Sequence, residues 1–266
     1  MTKMPRKTVA ADRGQQAQLL LYKLAPLILL VLGWHLLTGG NARRAFFFGS
    51  PSAFARELMA GVISRRLFYD TAVTAGEALG GFLIGNVAGT VAGLVLWHFE
   101  FLFRILRPYI IALGTAPLFA LAPIIVVWFG TGFSSKLIVA TLSTLFVALM
   151  QAYKGADEVD FRFVEVIRSF GGGNWQVFRK IIVPASMVWV MSAFRLNIGF
   201  ALLGAFLGEY ISSERGLGHL ILVGGGLYNI PLILVGVVMI IVLGWCLSWA
   251  VGAIEGPLQH TIIRSL

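Results

Sequence analysis

Arg195 and Glu209 are ionisable residues inside a long apolar run, Ile181 to Ile211, and a charge held in hydrocarbon is costly enough to be read first as functional. Fourteen positions separate them, about four helical turns, so they do not pair along one helix. Arg195, with Asn197 two positions on, has two readings. It faces a wet cavity and offers a favourable potential to an anion, or it forms an ion pair with another span, Glu77 being the nearest candidate. Glu209 stands near the end of the run, where a contact, a cap or a gate is equally compatible with its position. Thr141, Ser143, Thr144 and Asn86 are further lining groups, although such side chains more commonly hydrogen-bond a neighbouring helix.

Other chemistries lack their parts. Cys246 is the single cysteine, and His35, His98, His219 and His260 are far apart, so neither a disulfide framework nor a close-spaced metal motif is present. A membrane-embedded enzyme needs a nucleophile with its base, a metal set or clustered carboxylates; no catalytic residue and no metal ligand is assigned. The glycines of "GGGNWQ" follow a helical pattern instead of a strand and have no Lys-Ser/Thr behind them, so they do not make a phosphate loop. The net charge of +9 does not call for nucleic acid, because basic residues of membrane proteins gather in cytoplasmic loops beside anionic lipid.

The elements that must position these residues follow from composition. The 266 residues are 58% hydrophobic and 12% charged, against roughly 25% charged in soluble domains, with a mean hydropathy of +0.85. Apolar runs near 19–38, 71–97, 109–129, 137–153, 181–211 and 231–254 predict an all-α polytopic membrane protein with about six transmembrane helices. Lys3, Arg6, Lys7 and Arg13 precede the first run as they would a signal peptide. That run approaches the length of a crossing and lacks a clean small-residue cleavage site, so it reads as an uncleaved helix. Residues 1–18 form an N-terminal segment and 19–266 one transmembrane domain.

Counting Lys and Arg on alternate sides of the spans places 13 on one side and 7 on the other, with Arg195 inside, which predicts cytoplasmic termini. Five of those seven lie in 39–70, where Ser50 and Pro51 open a short amphipathic helix expected on the outer surface. Gly81, Gly85, Gly89 and Gly93 share one helical face and predict close packing against another backbone. Pro117 and Pro123 break the third run and predict a helix beside a cavity.

The stretch 154–180 is the longest loop on the cytoplasmic side. Val159, Phe163, Val166, Ile167 and Phe170 recur at three- and four-residue intervals, which predicts a short amphipathic helix stopped by Gly171. "NWQVFRK" then reads as a second helical turn with Asn174 as N-cap. Trp175 and Phe178, expected to be exposed beside Arg168, Arg179 and Lys180, suit docking into a protein groove; resting on the inner lipid leaflet is the alternative.

Glu165, Gly171 six positions on, Ile181 ten after that and Pro184 resemble the EAA loop of binding-protein-dependent ABC importer permeases, with Val166 and Ile167 in place of the two alanines and Val183 in place of leucine. The segments "APLFALAPIIVVWFGTGFSSK" and "FRLNIGFALLGAFLGEYISSERGLGHLI", with Glu255, are similar to the nitrate, sulfonate, taurine and bicarbonate branch; Glu77 stands where that branch usually carries Arg. The resemblance implies a type I ABC importer permease in a bacterial inner membrane. It implies a homodimer that binds no cofactor itself, with ATP and Mg held by cytoplasmic ATP-binding subunits and an extracytoplasmic solute-binding protein as third partner. Glu165, Arg168, Gly171, Trp175, Phe178, Ile181 and Pro184 would form the ATPase-coupling loop, and Arg195, Asn197, Thr141, Thr144 and Glu209 would line a pathway for a small anion such as a sulfonate, nitrate, bicarbonate or organic acid. A channel or a structural membrane subunit would share the bundle but have no use for a loop so spaced.

Overall fold

Where a chain meets hydrocarbon its backbone N–H and C=O groups must be satisfied internally, and an open chain with these apolar runs does so as helices. The computed structural model describes residues 12–265, with side chains from 22 to 255, and is all-α, with no strand among those residues. The first eleven residues of the N-terminal segment lie outside the described residues. Helices run in the order α1 (Asp12–Thr38), α2 (Ala42–Phe48), α3 (Pro51–Ile63), α4 (Arg66–His98), α5 (Glu100–Thr115), α6 (Leu118–Phe129) and α7 (Phe133–Asp157). They continue as α8 (Phe161–Ser169), α9 (Asn174–Val177), α10 (Val183–Ser192), α11 (Phe194–Ile211), α12 (Leu217–Gly226) and α13 (Ile230–Ser265).

Four stretches, Arg66–His98, Phe133–Asp157, Phe194–Ile211 and Ile230–Glu255, are long and apolar enough to cross a membrane. The third expected span is two helices, α5 and α6, that meet at 92° across Ala116 and Pro117. Pro117 has no N–H for a continuing ladder and disfavours a helical conformation at Ala116, which is extended with φ −60° and ψ 137°. Pro123 is carried inside α6 without ending it. The expected continuous span over 181–211 is likewise divided, at Ala193. The first expected span lies within α1, a helix of 27 residues, Asp12–Thr38, against the roughly 20 residues of a crossing.

The glycine face of α4 packs on α7 with a shared four-residue step. A Cβ at Gly81, Gly85, Gly89 or Gly93 would meet, respectively, Ala140, Thr144, Leu145 with Ala148, and Leu149 with Ala152. Small residues on both helices let the backbones approach until dispersion contacts replace lipid. The third member of this core is α11, whose Gly204 and Gly208 lie on Ala140, Ser143 and Lys136 of α7. Asn197 of α11 donates to Asn86 of α4 at 2.6 Å, an amide pair buried between the two. Outside this triple, Ser50 caps α3 by accepting from Ala53 N at 3.3 Å, with Pro51 in the first turn, as the sequence predicts. Phe54 and Leu58 of α3 pack on Leu67, Leu220 and Val235, so α3 is fastened to α13.

Candidate functional site

Two groups of polar residues lie at opposite ends of the bundle. The first is the segment between α7 and α10. Asp160 caps α8, its Oδ1 accepting from Arg162 N at 2.9 Å, and the Arg162 guanidinium bonded to Oδ2 at 2.6 Å holds this carboxyl below the usual aspartate range. Gly171 then ends the helix as the spacing predicts. Its φ is +79°, Gly172 N–H reaches back to Ile167 O at 2.9 Å and Gly171 N–H to Arg168 O at 2.9 Å, which is a Schellman closure. The N-cap of the next turn is Gly173, not Asn174. Gln176 Oε1 accepts from Gly173 N–H at 3.0 Å, so the cap is made from three residues downstream, while Asn174 Oδ1 is turned to Arg168 at 3.4 Å.

From Asn174 the chain runs into α10 through a π-helical turn, Phe178–Ile182, in which Val183 N–H bonds five residues back to Phe178 O. Pro184, without an N–H, follows at once, and a widened turn of this kind is a common adjustment beside functional surfaces. Val164 and Ile167 turn inward onto Leu94, Ala156, Val177 and Ile182. The other side of α8 is left apolar and open: Phe161, Phe163, Val166 and Phe170 are exposed, Phe170 to 88%, and Trp175 adds 69%. Phe178 differs from the expectation of an exposed aromatic. It is half-buried, stacked on Trp97 at 6.3 Å and on Trp175 at 5.8 Å, so it wedges the segment against the end of α4. Glu165 and Arg168 are exposed on α8, and Ile181 and Pro184 are half-buried at its junction with α10.

At the far end lies a buried polar cluster. Glu209, with no exposed surface, accepts from Thr74 Oγ1 and from Gly218 N, both at 2.6 Å, and Thr74 Oγ1 in turn accepts from Leu217 N at 2.9 Å. Asp70 accepts from Gly216 N at 3.2 Å and pairs with Arg66 at 3.4 Å. Lys136, 2% exposed, donates to Thr131 O and lies near the carboxyls of Glu77 and Glu209. Gly216 is in the left-handed region, φ +104°, where a Cβ would strike the Glu209 carboxyl. Sequence reasoning missed Asp70, Thr74 and Lys136 because it placed the two charges in loops flanking the spans. The signal was their position within the first turns of α4 and α7, where a neighbouring helix still covers them.

The proposed pathway residues are dispersed. Thr144 and Asn197 are fully buried between helices, with the Thr144 hydroxyl 3.0 Å from Thr141 O and 3.3 Å from Gly81 O across the contact. Thr141 is half-buried and donates to Leu137 O at 2.7 Å. Arg195 pairs with Glu255 of α13 at 3.0 Å and not with Glu77, which stands at the opposite end of the bundle beside Glu209. Beside the break between α5 and α6, a cavity of about 390 Å³ opens among α5, α7 and α10; its polar lining is Thr115, Gln151 and Lys154.

A bundle of spanning helices centred on a tightly packed triple, with one span broken and an amphipathic hook between two others, is the architecture of a polytopic membrane protein. The chain belongs to the family of binding-protein-dependent transport system inner membrane components, which matches residues 85–258. It is 29% identical over 229 residues, 86% of this chain and 85% of the relative, to the riboflavin transport system permease protein RibX of Chloroflexus aurantiacus. To the putative aliphatic sulfonates transport permease protein SsuC of Escherichia coli it is 27% identical over 227 residues, covering 84% and 86% of the two chains. A chain of the MetNI methionine ABC transporter, solved in inward-facing conformations, shares the fold with a TM-score of 0.65 at 17% identity, covering 74% of this chain and 97% of that one. The protein is thus a permease subunit of a binding-protein-dependent ABC importer, a transport component and not an enzyme.

Proposed function

We propose that the segment 161–184 is the surface through which cytoplasmic ATP-hydrolysing subunits drive this permease, with ATP and Mg bound by those partners. The observation that carries this reading is the division of α8 into two apolar faces. Val164 and Ile167 fasten it to the bundle, and Phe161, Phe163, Val166, Phe170 and Trp175 are left uncovered. A lever needs both, a rigid attachment and a free face for the driving partner. In this reading the loop end is cytoplasmic, both termini lie on that side of a bacterial inner membrane, a solute-binding protein delivers to the other end, and two copies enclose the pathway. Glu165 and Arg168 would add polar contacts at the rim of the docking face.

The substrate proposal is a small organic or inorganic anion. The relatives are named for riboflavin and for aliphatic sulfonates, so the shared feature is a soluble solute in place of one reaction. Gly114, Thr115, Gln151 and Lys154 beside the helix break would form its passage toward the cytoplasm, Thr115 and Gln151 supplying polar side chains and Lys154, which also pairs with Glu158 at 3.7 Å, a cation. Thr141, Thr144, Asn197 and Glu209 would act on that passage by fixing the helices around it.

Co-purification with the ATPase tests the docking surface. Phe163→Asp is expected to reduce the recovered ATPase at least about tenfold, since it places a charge in a desolvated contact, while membrane insertion is unchanged. Gly171→Val is expected to keep the protein in the membrane but uncouple ATP hydrolysis from uptake, because a β-branched residue cannot hold φ +79° without strain of about 1–3 kcal/mol. If both variants retain ATPase and coupled uptake, α8 rests on lipid and the coupling surface lies elsewhere.

A further inference from the structure

Arg195 is the one group proposed for the pathway that faces away from the packed triple. Its side chain is 64% exposed, on the outside of the bundle where α11 meets α13. Nε is taken by Glu255 Oε2 at 3.0 Å, and the guanidinium lies against the α13 backbone at Gly252, where a Cβ would be 2.9 Å from Nη2. The absent side chain at Gly252 is what lets the planar group lie flat there. A guanidinium has five donors, and Glu255 engages only one edge, so the outer edge remains directed into an open cavity of about 470 Å³ lined by Trp245, Ser248 and Trp249.

The depth of this cavity decides its occupant. Arg195 is about 24 Å along α11 from Ile211, and Trp249 about 28 Å along α13 from Ile230, both measured from the end opposite the α8 segment. With Ile211 and Ile230 taken as the opposite boundary of a hydrocarbon core about 30 Å thick, both stand near its boundary on the α8 side. Trp245 and Trp249, 72% and 71% exposed, share one face of α13 with Ile241, 64% exposed, which continues that face toward the middle of the bilayer. Tryptophan at the boundary and aliphatic residues above it is the profile of a lipid-facing helix. An arginine on that profile can place its charge at headgroup level while its methylenes stay in the acyl region.

We propose that Arg195, Trp245, Trp249 and Ser248 form a binding site for the phosphate headgroup of a phospholipid in the leaflet on the α8 side. The free guanidinium edge donates to a phosphate oxygen, Ser248 offers a hydroxyl, and the two indoles flank the glycerol region. Glu255 neutralises part of the arginine charge, so recognition rests on bidentate hydrogen bonding as well as on net charge. The site lies on the surface that meets lipid and is independent of ATPase coupling.

The test is native mass spectrometry of the full chain purified from detergent and titrated with 1-palmitoyl-2-oleoyl-phosphatidylglycerol. Wild type is expected to retain one phospholipid under activation that strips the rest. Arg195→Gln should weaken that retention about fivefold, the scale of one arginine at a charged membrane surface. Because Arg195→Gln leaves Glu255 without this partner, Trp249→Ala is the companion variant: it leaves the ion pair intact and should also lower retention, whereas Trp249→Phe should restore most of it. Inorganic phosphate at millimolar concentration should not displace the lipid. Equal retention in wild type and both loss variants would overturn the proposal, and displacement by inorganic phosphate would reassign the site to a soluble anion.

Discussion

Gly85→Val is expected to destabilise the protein by more than about 3 kcal/mol and to prevent recovery of a folded chain, because it wedges the α4–α7 contact apart. A Cβ there would coincide with the Thr144 hydroxyl and lie 2.6 Å from Thr141 O, an atom of the α7 backbone that cannot rotate away. Overpacking a well-packed interior costs about 1–3 kcal/mol where side chains can move, and more where two backbones must separate. The effect propagates because Gly81 and Gly89 hold the same spacing on either side, so widening the gap at one position loosens contacts along the whole face. Thr144→Ala should restore only part of the loss, since it removes the hydroxyl and leaves the Thr141 carbonyl in place. Gly199→Ala on α11 is the control; a Cβ there meets nothing within 4 Å, and its unfolding midpoint in detergent should match wild type. Similar midpoints for Gly85→Val and Gly199→Ala would mean that α4 and α7 are not in close backbone contact at Gly85.

What the sequence made legible was local or periodic. The glycine face needs only a spacing of four, and the Gly171 stop needs only a helical pattern ended by glycine, so both follow from short windows. The proline break was legible as a place but not as an angle, because the 92° turn depends on what α7 offers to the two halves. Tertiary partners were not legible. Arg195 is nearer in sequence to Glu209 than to Glu255, and only the antiparallel course of α11 and α13 brings Glu255 to it. Phe178 sits on the apolar repeat of an exposed element, yet Trp97, from the end of α4, covers it. Asp70 and Lys136 were assigned to solvent by their places at span ends; the fold covers them with the turn before α12 and with α11.

Glu209→Leu is expected to cost about 3–5 kcal/mol, although leucine is the better residue by hydrophobicity and fits an apolar span. The reason is what the carboxyl leaves behind. Thr74 Oγ–H and Gly218 N–H each donate to it at 2.6 Å, and both are buried; Gly218 N–H would forfeit its partner at about 1–3 kcal/mol, and the Thr74 hydroxyl would be left with the longer bond to Asp70 O at 3.1 Å. Lys136 would also lose one of the two nearby carboxyls that accompany it in the interior, and removing one member of a buried charged group is more damaging than replacing the whole group. Glu209→Gln separates shape from charge. Its single carbonyl oxygen can accept from Thr74 or from Gly218, not from both sides as the carboxylate does, so an intermediate loss is expected. Hydrogen exchange locates the damage. The amides of Leu217 and Gly218, held by Thr74 and Glu209, should exchange faster in both variants, while those of Gly171 and Gly172 at the opposite end keep the protection given by their bonds to Arg168 and Ile167. Such a result would make the cluster a local clasp that binds the start of α12 to α4 and α11, which lets the far end move as one body when the α8 end is driven. Unchanged exchange at Leu217 and Gly218 in Glu209→Leu would remove the clasp, and with it the rigid connection between the turn before α12 and the packed triple.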